Sequence, residues 1–155
     1  MRPGAPNLID RIEAGLLSFG NDMTSENSPL ECGFEKYCAL SSDIDFIGKA
    51  KLKSEKNIGP KLKLCGIAFG GEAQSACTIP WPIYFNNLKI GEITSGIYNP
   101  SLKVNTGIAL VMTENLDKFS TVKVKALNSK ITEGVICSLP FTISKNYELI
   151  NQIRY

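Results

Sequence analysis

The sequence predicts a mostly β protein: a C-terminal antiparallel β-barrel or jelly-roll-like domain preceded by a short helical and loop segment. Two observations carry this. From Lys61 onward the apolar residues recur at a period near two, as in Leu62, Leu64, Ile67 and Phe69, which places them on alternating faces of a strand. Turn-forming residues then separate further apolar runs, at Gly70-Gly71, Asn86-Asn87, Asn99-Pro100-Ser101 and Asn128-Ser129. Several short strands so spaced suggest a closed or nearly closed antiparallel sheet.

In chain order, residues 7–20 read as a helix. Leu8, Ile9, Ile12, Leu16 and Leu17 fall at helical spacing, Asn7 can cap the start, and Gly15 and Gly20 punctuate the far end. Residues 21–33 are loop-like, and 34–40 are compatible with a strand. Asp45 is placed to cap a helix from Phe46 to about Lys56, ended by Asn57-Ile58-Gly59-Pro60. The strand expected from Lys61 is followed by strands at 82–85, 88–98, 105–112, 121–127 and 131–139. Asn86-Asn87 suits a tight hairpin, because asparagine tolerates positive φ. The chain therefore divides near residue 58. The first part is too small to bury a core unaided, and its apolar positions are expected to fray where nothing covers them.

The composition narrows the class of function. The chain has 155 residues, 43% of them hydrophobic and 21% charged, which is ordinary for a soluble globular domain. Lys+Arg 17 against Asp+Glu 15 leaves a net charge of +2, without the basic face that nucleic-acid binding needs. The one dense basic run, Lys49, Lys51, Lys53, Lys56, Lys61 and Lys63, reads as a solvated helix end and strand edge. No apolar stretch approaches the roughly 20 residues of a membrane span. Met1-Arg2-Pro3-Gly4-Ala5-Pro6 lacks the apolar core of a signal peptide and runs into an amphipathic segment as a connector in a longer chain would. The expectation is a cytoplasmic protein with small-molecule partners and neither nucleic acid nor membrane.

The residues that carry chemistry are sparse. There is no histidine, so Cys–His nucleophilic catalysis and histidine-ligated metals are excluded. The five cysteines at 32, 38, 65, 77 and 137 form no CxxC pair, and buried reduced thiols are expected. Asp43 and Asp45 suit capping better than acid–base work. Gly70-Gly71 lacks the Lys-Ser/Thr of a phosphate loop. Trp81, between Pro80 and Pro82, is expected to pack on the barrel edge or to cover a flat heterocycle. Periodicity and spacing reach no further.

Several segments, in order, resemble the C-terminal portion of the glycine-cleavage T-protein (aminomethyltransferase) family. Arg11-Ile12-Glu13-Ala14-Gly15 and Ser18-Phe19-Gly20-Asn21-Asp22-Met23 resemble its RLEAG…YG.D stretch. Asn27-Ser28-Pro29-Leu30-Glu31-Cys32-Gly33 is similar to its P.E.G element. Asp45-Phe46-Ile47-Gly48-Lys49 matches DFIG(K/R). Gly91 to Gly96 with Asn99-Pro100-Ser101-Leu102-Lys103 resembles G.VTSG..SPSLK, and Leu139-Pro140-Phe141 resembles the terminal MPF.

The resemblance implies that residues 1–58 are the tail of a folate-binding core domain and residues 59–155 the family's C-terminal β-barrel. It implies tetrahydrofolate in a cavity between three domains, with the barrel as one wall. The family's catalytic aspartate and its pterin-contacting glutamate would then lie upstream of Met1. No catalytic or metal-binding residue is expected in this chain, which alone should be inactive. Glycine-cleavage members place a folate-facing arginine where Asn7 stands, whereas Arg11 matches a second, structural arginine. With that exchange, the Leu-Leu-Ser-Phe-Gly-Asn-Asp run looks more like the dimethylsulfoniopropionate-demethylase branch. The alternatives are a glycine-cleavage aminomethyltransferase, a non-catalytic folate-binding protein of the same fold, and a fold relative fused to a flavin domain. The KGCY.GQE motif of the non-catalytic relatives has no counterpart here.

Overall fold

The structure, a computed structural model, describes residues 7–114, 116, 121–127, 130–141, 150, 151 and 153. Its centre is a closed antiparallel barrel of six strands: β1 (Leu62–Phe69), β2 (Trp81–Phe85), β3 (Leu88–Asn99), β4 (Val104–Met112), β5 (Thr121–Val124) and β6 (Thr132–Cys137). Their order around the barrel is β1-β4-β3-β2-β5-β6. The run β2-β3-β4 is a meander, and the long β1–β2 connection sets β1 beside β4, as in a Greek key. Closure leaves no free sheet edge. Asn86 and Asn87 take φ of 47° and 65° and form the two-residue β2–β3 hairpin turn anticipated for them.

Alternation along the strands sorts side chains into two cores. Cys65, Ile67, Phe69, Ile83, Ile93, Ala109, Val111, Val122 and Val124 fill the barrel interior. Outward-facing Ala68, Val104, Ile108, Val135 and Cys137 join Ile12, Leu102, Phe141, Ile150 and Ile153 in a second cluster on one flank. Trp81 belongs to the interior, 3% exposed, with its ring edge-on to Phe69 at 5.9 Å between centroids. Neither expectation for it holds. The flanking prolines suggested an edge, but Trp81 opens β2 on its inward side. Gly96 makes the room, since a Cβ there would lie 2.7 Å from the indole.

The segment before the barrel differs from the expected elements in three places. The first helix, α1, covers only Leu8–Ala14, because Gly15 adopts the left-handed conformation (φ 68°) and returns its N–H to the last turn. Residues 34–40 hold no strand. A 3₁₀ turn at Glu35–Tyr37 sets the Phe34 and Tyr37 rings edge-to-face at 6.1 Å. The second helix, α2, spans Lys49–Ile58 and is capped by Gly48. Asp45 instead accepts a hydrogen bond from the N–H of its neighbour Phe46. Lys49 is not solvated but 8% exposed; its ammonium donates to the carbonyls of Ser42 (2.7 Å) and Ile44 (2.5 Å). It staples the loop before α2.

Candidate functional site: the junction of lead-in and barrel

The segment before β1 is held to the barrel by polar groups that the sequence places far apart. β3 carries a bulge: Ile93 pairs with Ala109 and Ser95 with Ile108, leaving Thr94 out of register. A bulge turns a side chain away from the ladder, and the Thr94 hydroxyl donates to Asp22 Oδ1 at 2.7 Å. The other Asp22 oxygen accepts from Arg11 Nη1 at 2.6 Å and from the Ser18 N–H at 2.9 Å. Arg11 also donates to the Leu16 carbonyl at 2.8 Å. Asp22 is fully buried. Burial works against its charge, yet the hydroxyls of Ser95 and Thr94, the Arg11 guanidinium and the Ser18 N–H together hold its carboxyl below the ordinary range.

A second tie runs from Glu13. Its carboxylate accepts from Asn99 Nδ2 at 2.6 Å, and its carbonyl accepts from the Phe141 N–H at 2.8 Å. Asn99 Oδ1 in turn accepts from the N–H groups of Ser101 and Leu102, shaping the β3–β4 turn. Gly15 lies directly on Leu139, where a Cβ would meet the leucine Cβ at 3.2 Å.

Beside this junction lies a cleft of about 770 Å³, between residues 14–17 and 32–37 on one side and β1 and the end of β6 on the other. Its lining is apolar at Leu17, Leu64, Ile136 and Leu139, and also includes Phe34, Tyr37, Lys36 and Lys63, with the Lys36 ammonium over the Tyr37 ring. The volume lies within the range of small-molecule sites.

The family model for the glycine cleavage T-protein C-terminal barrel domain matches residues 63–142, which is half of the chain and nearly the whole barrel. This chain belongs to the glycine-cleavage T-protein family. It is 42% identical over 111 residues to the dimethylsulfoniopropionate demethylase DmdA of Ruegeria pomeroyi, covering 72% of this chain and 30% of that protein. It is 32% identical over 134 residues to an aminomethyltransferase of Bacillus pumilus, covering 84% of this chain and 35% of that protein. The crystal structure of glycine cleavage system aminomethyltransferase T from Bartonella henselae superposes with a TM-score of 0.62 at 22% identity, covering 94% of this chain and 38% of that one. The chain thus spans about a third of the length of these relatives.

The T-protein segments singled out in the sequence meet at the junction. Arg11 and Glu13 come from one, Asp22 from the next, Thr94 and Asn99 from the barrel and Phe141 from the last. They are joined by the bonds just described. Arg11, which the resemblance aligns with the family's second arginine, bonds Asp22 and the Leu16 carbonyl. Asn7 caps α1: its Oδ1 accepts from the Asp10 N–H at 2.9 Å and its Nδ2 donates to the Asp10 carboxylate at 2.7 Å. One N–H and one lone pair of the exposed amide remain for other contacts. Asp43 and Asp45 are exposed and lie off the cleft. The cysteines are free thiols: Cys32, Cys65 and Cys137 are buried, and Cys38 and Cys77 are partly so. Burial pushes the Cys65 and Cys137 thiols up to about 12, so they stay protonated at neutral pH and are poor nucleophiles. Sequence reasoning missed the cleft lining, although an aromatic pair at i, i+3 with a lysine between them was a visible signal. Among the described residues, no helix is long and apolar enough to cross a membrane.

Proposed function

We propose that the chain is the C-terminal part of a tetrahydrofolate-dependent one-carbon transferase that takes a methyl group from dimethylsulfoniopropionate. The observation that carries the choice of donor is the 42% identity to the demethylase, against 30% to 34% for the aminomethyltransferases. The second reading is a glycine-cleavage aminomethyltransferase, supported by matches that extend over 84% of the chain. The proposed setting is the cytoplasm, and the proposed partners are the sulfonium substrate, the folate and further domains upstream.

Bound tetrahydrofolate would supply a ring nitrogen that accepts the methyl group and gives up its proton to solvent, as the S–CH3 bond breaks and the sulfonium leaves as a neutral thioether. The cleft fits such a ligand as one wall: its apolar patch and aromatic pair suit a flat heterocycle, and its lysines suit a carboxylate tail. Leu17, Leu64 and Leu139 would exclude water there. Asn7 would offer its spare amide groups as a neutral contact, where an arginine would put a cation near a sulfonium. The Asp22 cluster would hold the turn that forms the cleft's rim. The carboxylates that orient the reacting atoms are proposed to lie outside this chain, as the family resemblance implies, so no catalytic residue is assigned within it.

The test incubates tetrahydrofolate and dimethylsulfoniopropionate with the complete protein and, separately, with the 155-residue chain, and follows methyltetrahydrofolate by mass spectrometry. Product from the complete protein alone is expected. Turnover by the chain itself would refute the placement of the catalytic groups. Glycine-cleavage activity of the complete protein without demethylation would move it to the second reading.

A further inference from the structure

Leu17 lines the cleft and packs on the flank cluster, and the peptide groups on both sides of it are fixed by one carboxylate. On one side, the Leu16 carbonyl accepts from Arg11 Nη1 at 2.8 Å, and that nitrogen also donates to Asp22 Oδ2 at 2.6 Å. On the other, the Ser18 N–H donates to Asp22 Oδ2 at 2.9 Å. The second Asp22 oxygen reaches the barrel at the Thr94 hydroxyl, 2.7 Å away. Thr94 can aim there because the bulge takes it out of the β3–β4 register. Its hydroxyl also lies 3.3 Å from the Ile108 carbonyl, but the shorter bond to a charged acceptor is the stronger one. A wall residue of the cleft is thus placed by a barrel residue that does not line it.

We propose that Thr94 is a positioning residue for the cleft: through Asp22 and Arg11 it holds residues 16–18 to the barrel and so sets where Leu17 stands. For what the cleft holds, the proposal rests on the one-carbon reading above; its geometry does not. A hydrogen bond to a charged group is worth a factor on the order of ten in an equilibrium. Loss of the hydroxyl should therefore raise local opening of this wall by about that factor. A threonine with a merely structural part in the barrel would change stability without singling out the cleft. Cys137 reports the wall, since it lines the cleft and shares the flank cluster with Leu17. Cys38 borders the neighbouring hollow instead and serves as the control.

The experiment labels the native 155-residue chain with iodoacetamide and follows Cys137 and Cys38 by peptide mass spectrometry. In T94V, Cys137 should react on the order of tenfold faster while Cys38 keeps its wild-type rate. T94S, which retains the hydroxyl, should return Cys137 to near the wild-type rate. D22N keeps the acceptor's shape and removes its charge; it should accelerate Cys137 as well, and it decides the matter if T94V does not fold. An unchanged Cys137 rate in the folded variants, a T94S chain as fast as T94V, or an equal rise at Cys38 would overturn the proposal. In the complete protein, T94V should raise KM for tetrahydrofolate more than it lowers kcat, and a fall in kcat alone would also overturn it. A wild type without turnover would refute the one-carbon reading, and the labelling then decides the positioning role by itself.

Discussion

A carboxylate shielded from solvent keeps its charge only when donors surround it, and Asp22 accepts from Arg11, Thr94 and the Ser18 N–H. Its folded-state pKa is lowered from the ordinary 3.8. The sign follows from linkage: the carboxylate adds stability above its unfolded pKa, and that stability is lost as pH falls toward the folded value. Urea unfolding of the wild type should therefore show an acid loss below about pH 4. In Asp22→Asn that component should be missing, and an unchanged acid limb would contradict the assignment. Arg11→Met leaves the buried carboxylate without its counter-ion and should cost about 3 kcal/mol, as removal of one partner of a buried pair does. A cost near that of an exposed pair, under about 1 kcal/mol, would mean that the hydroxyls alone suffice.

At the scale of elements, the segment before α2 shows how one side chain can shape a loop. Lys49 sits in the first turn of α2, and its ammonium binds two carbonyls of the preceding loop. Those bonds hold residues 42–48 in a form that leaves Ile44 and Ile47 exposed. Lys49→Met keeps the stem and removes the donors. Amide exchange in residues 42–48 should then accelerate while β1 to β6 remain as protected as before. Unchanged exchange in the loop would show that the Gly48 cap and the Asp45 turn hold it without the lysine. The run of six lysines hid this, because its members have the same composition and different environments. Only the fold separates the stapled Lys49 from its exposed neighbours.

At the scale of the whole chain, the described residues form a barrel with its lead-in tied to one flank. Ile12 is completely buried among barrel residues, Glu13 bonds both Asn99 and Phe141, and the Leu64 N–H reaches the Glu31 carbonyl. A segment too small for its own core has borrowed one. Hydrogen exchange on the 155-residue chain should accordingly protect α1 and the turn around Asp22 to the same order as the barrel strands, and both should lose protection together in denaturant. Fast exchange before Gly33 beside slow strands would restore the picture of a frayed lead-in that the sequence suggested.

What the sequence determined by itself is what depends on neighbours along the chain. The period of two gave the strands from Leu62 to Cys137, paired asparagines gave the hairpin, and Asn7 set the start of the first helix, whose end at Gly15 only the structure decided. The family segments were legible too, as an ordered set of short patterns whose purpose was not. Tertiary structure decided the rest. Trp81 lies inside because closure turns the start of β2 inward opposite Gly96. Thr94 reaches Asp22 because a bulge takes it out of register, a shift of one residue that no alternation pattern marks. The cleft is lined by residues as distant in the chain as Gly15 and Leu139, which meet only in the folded structure. Burial and charge pairing are properties of groups brought together in space, and local periodicity carries no information about which groups those are.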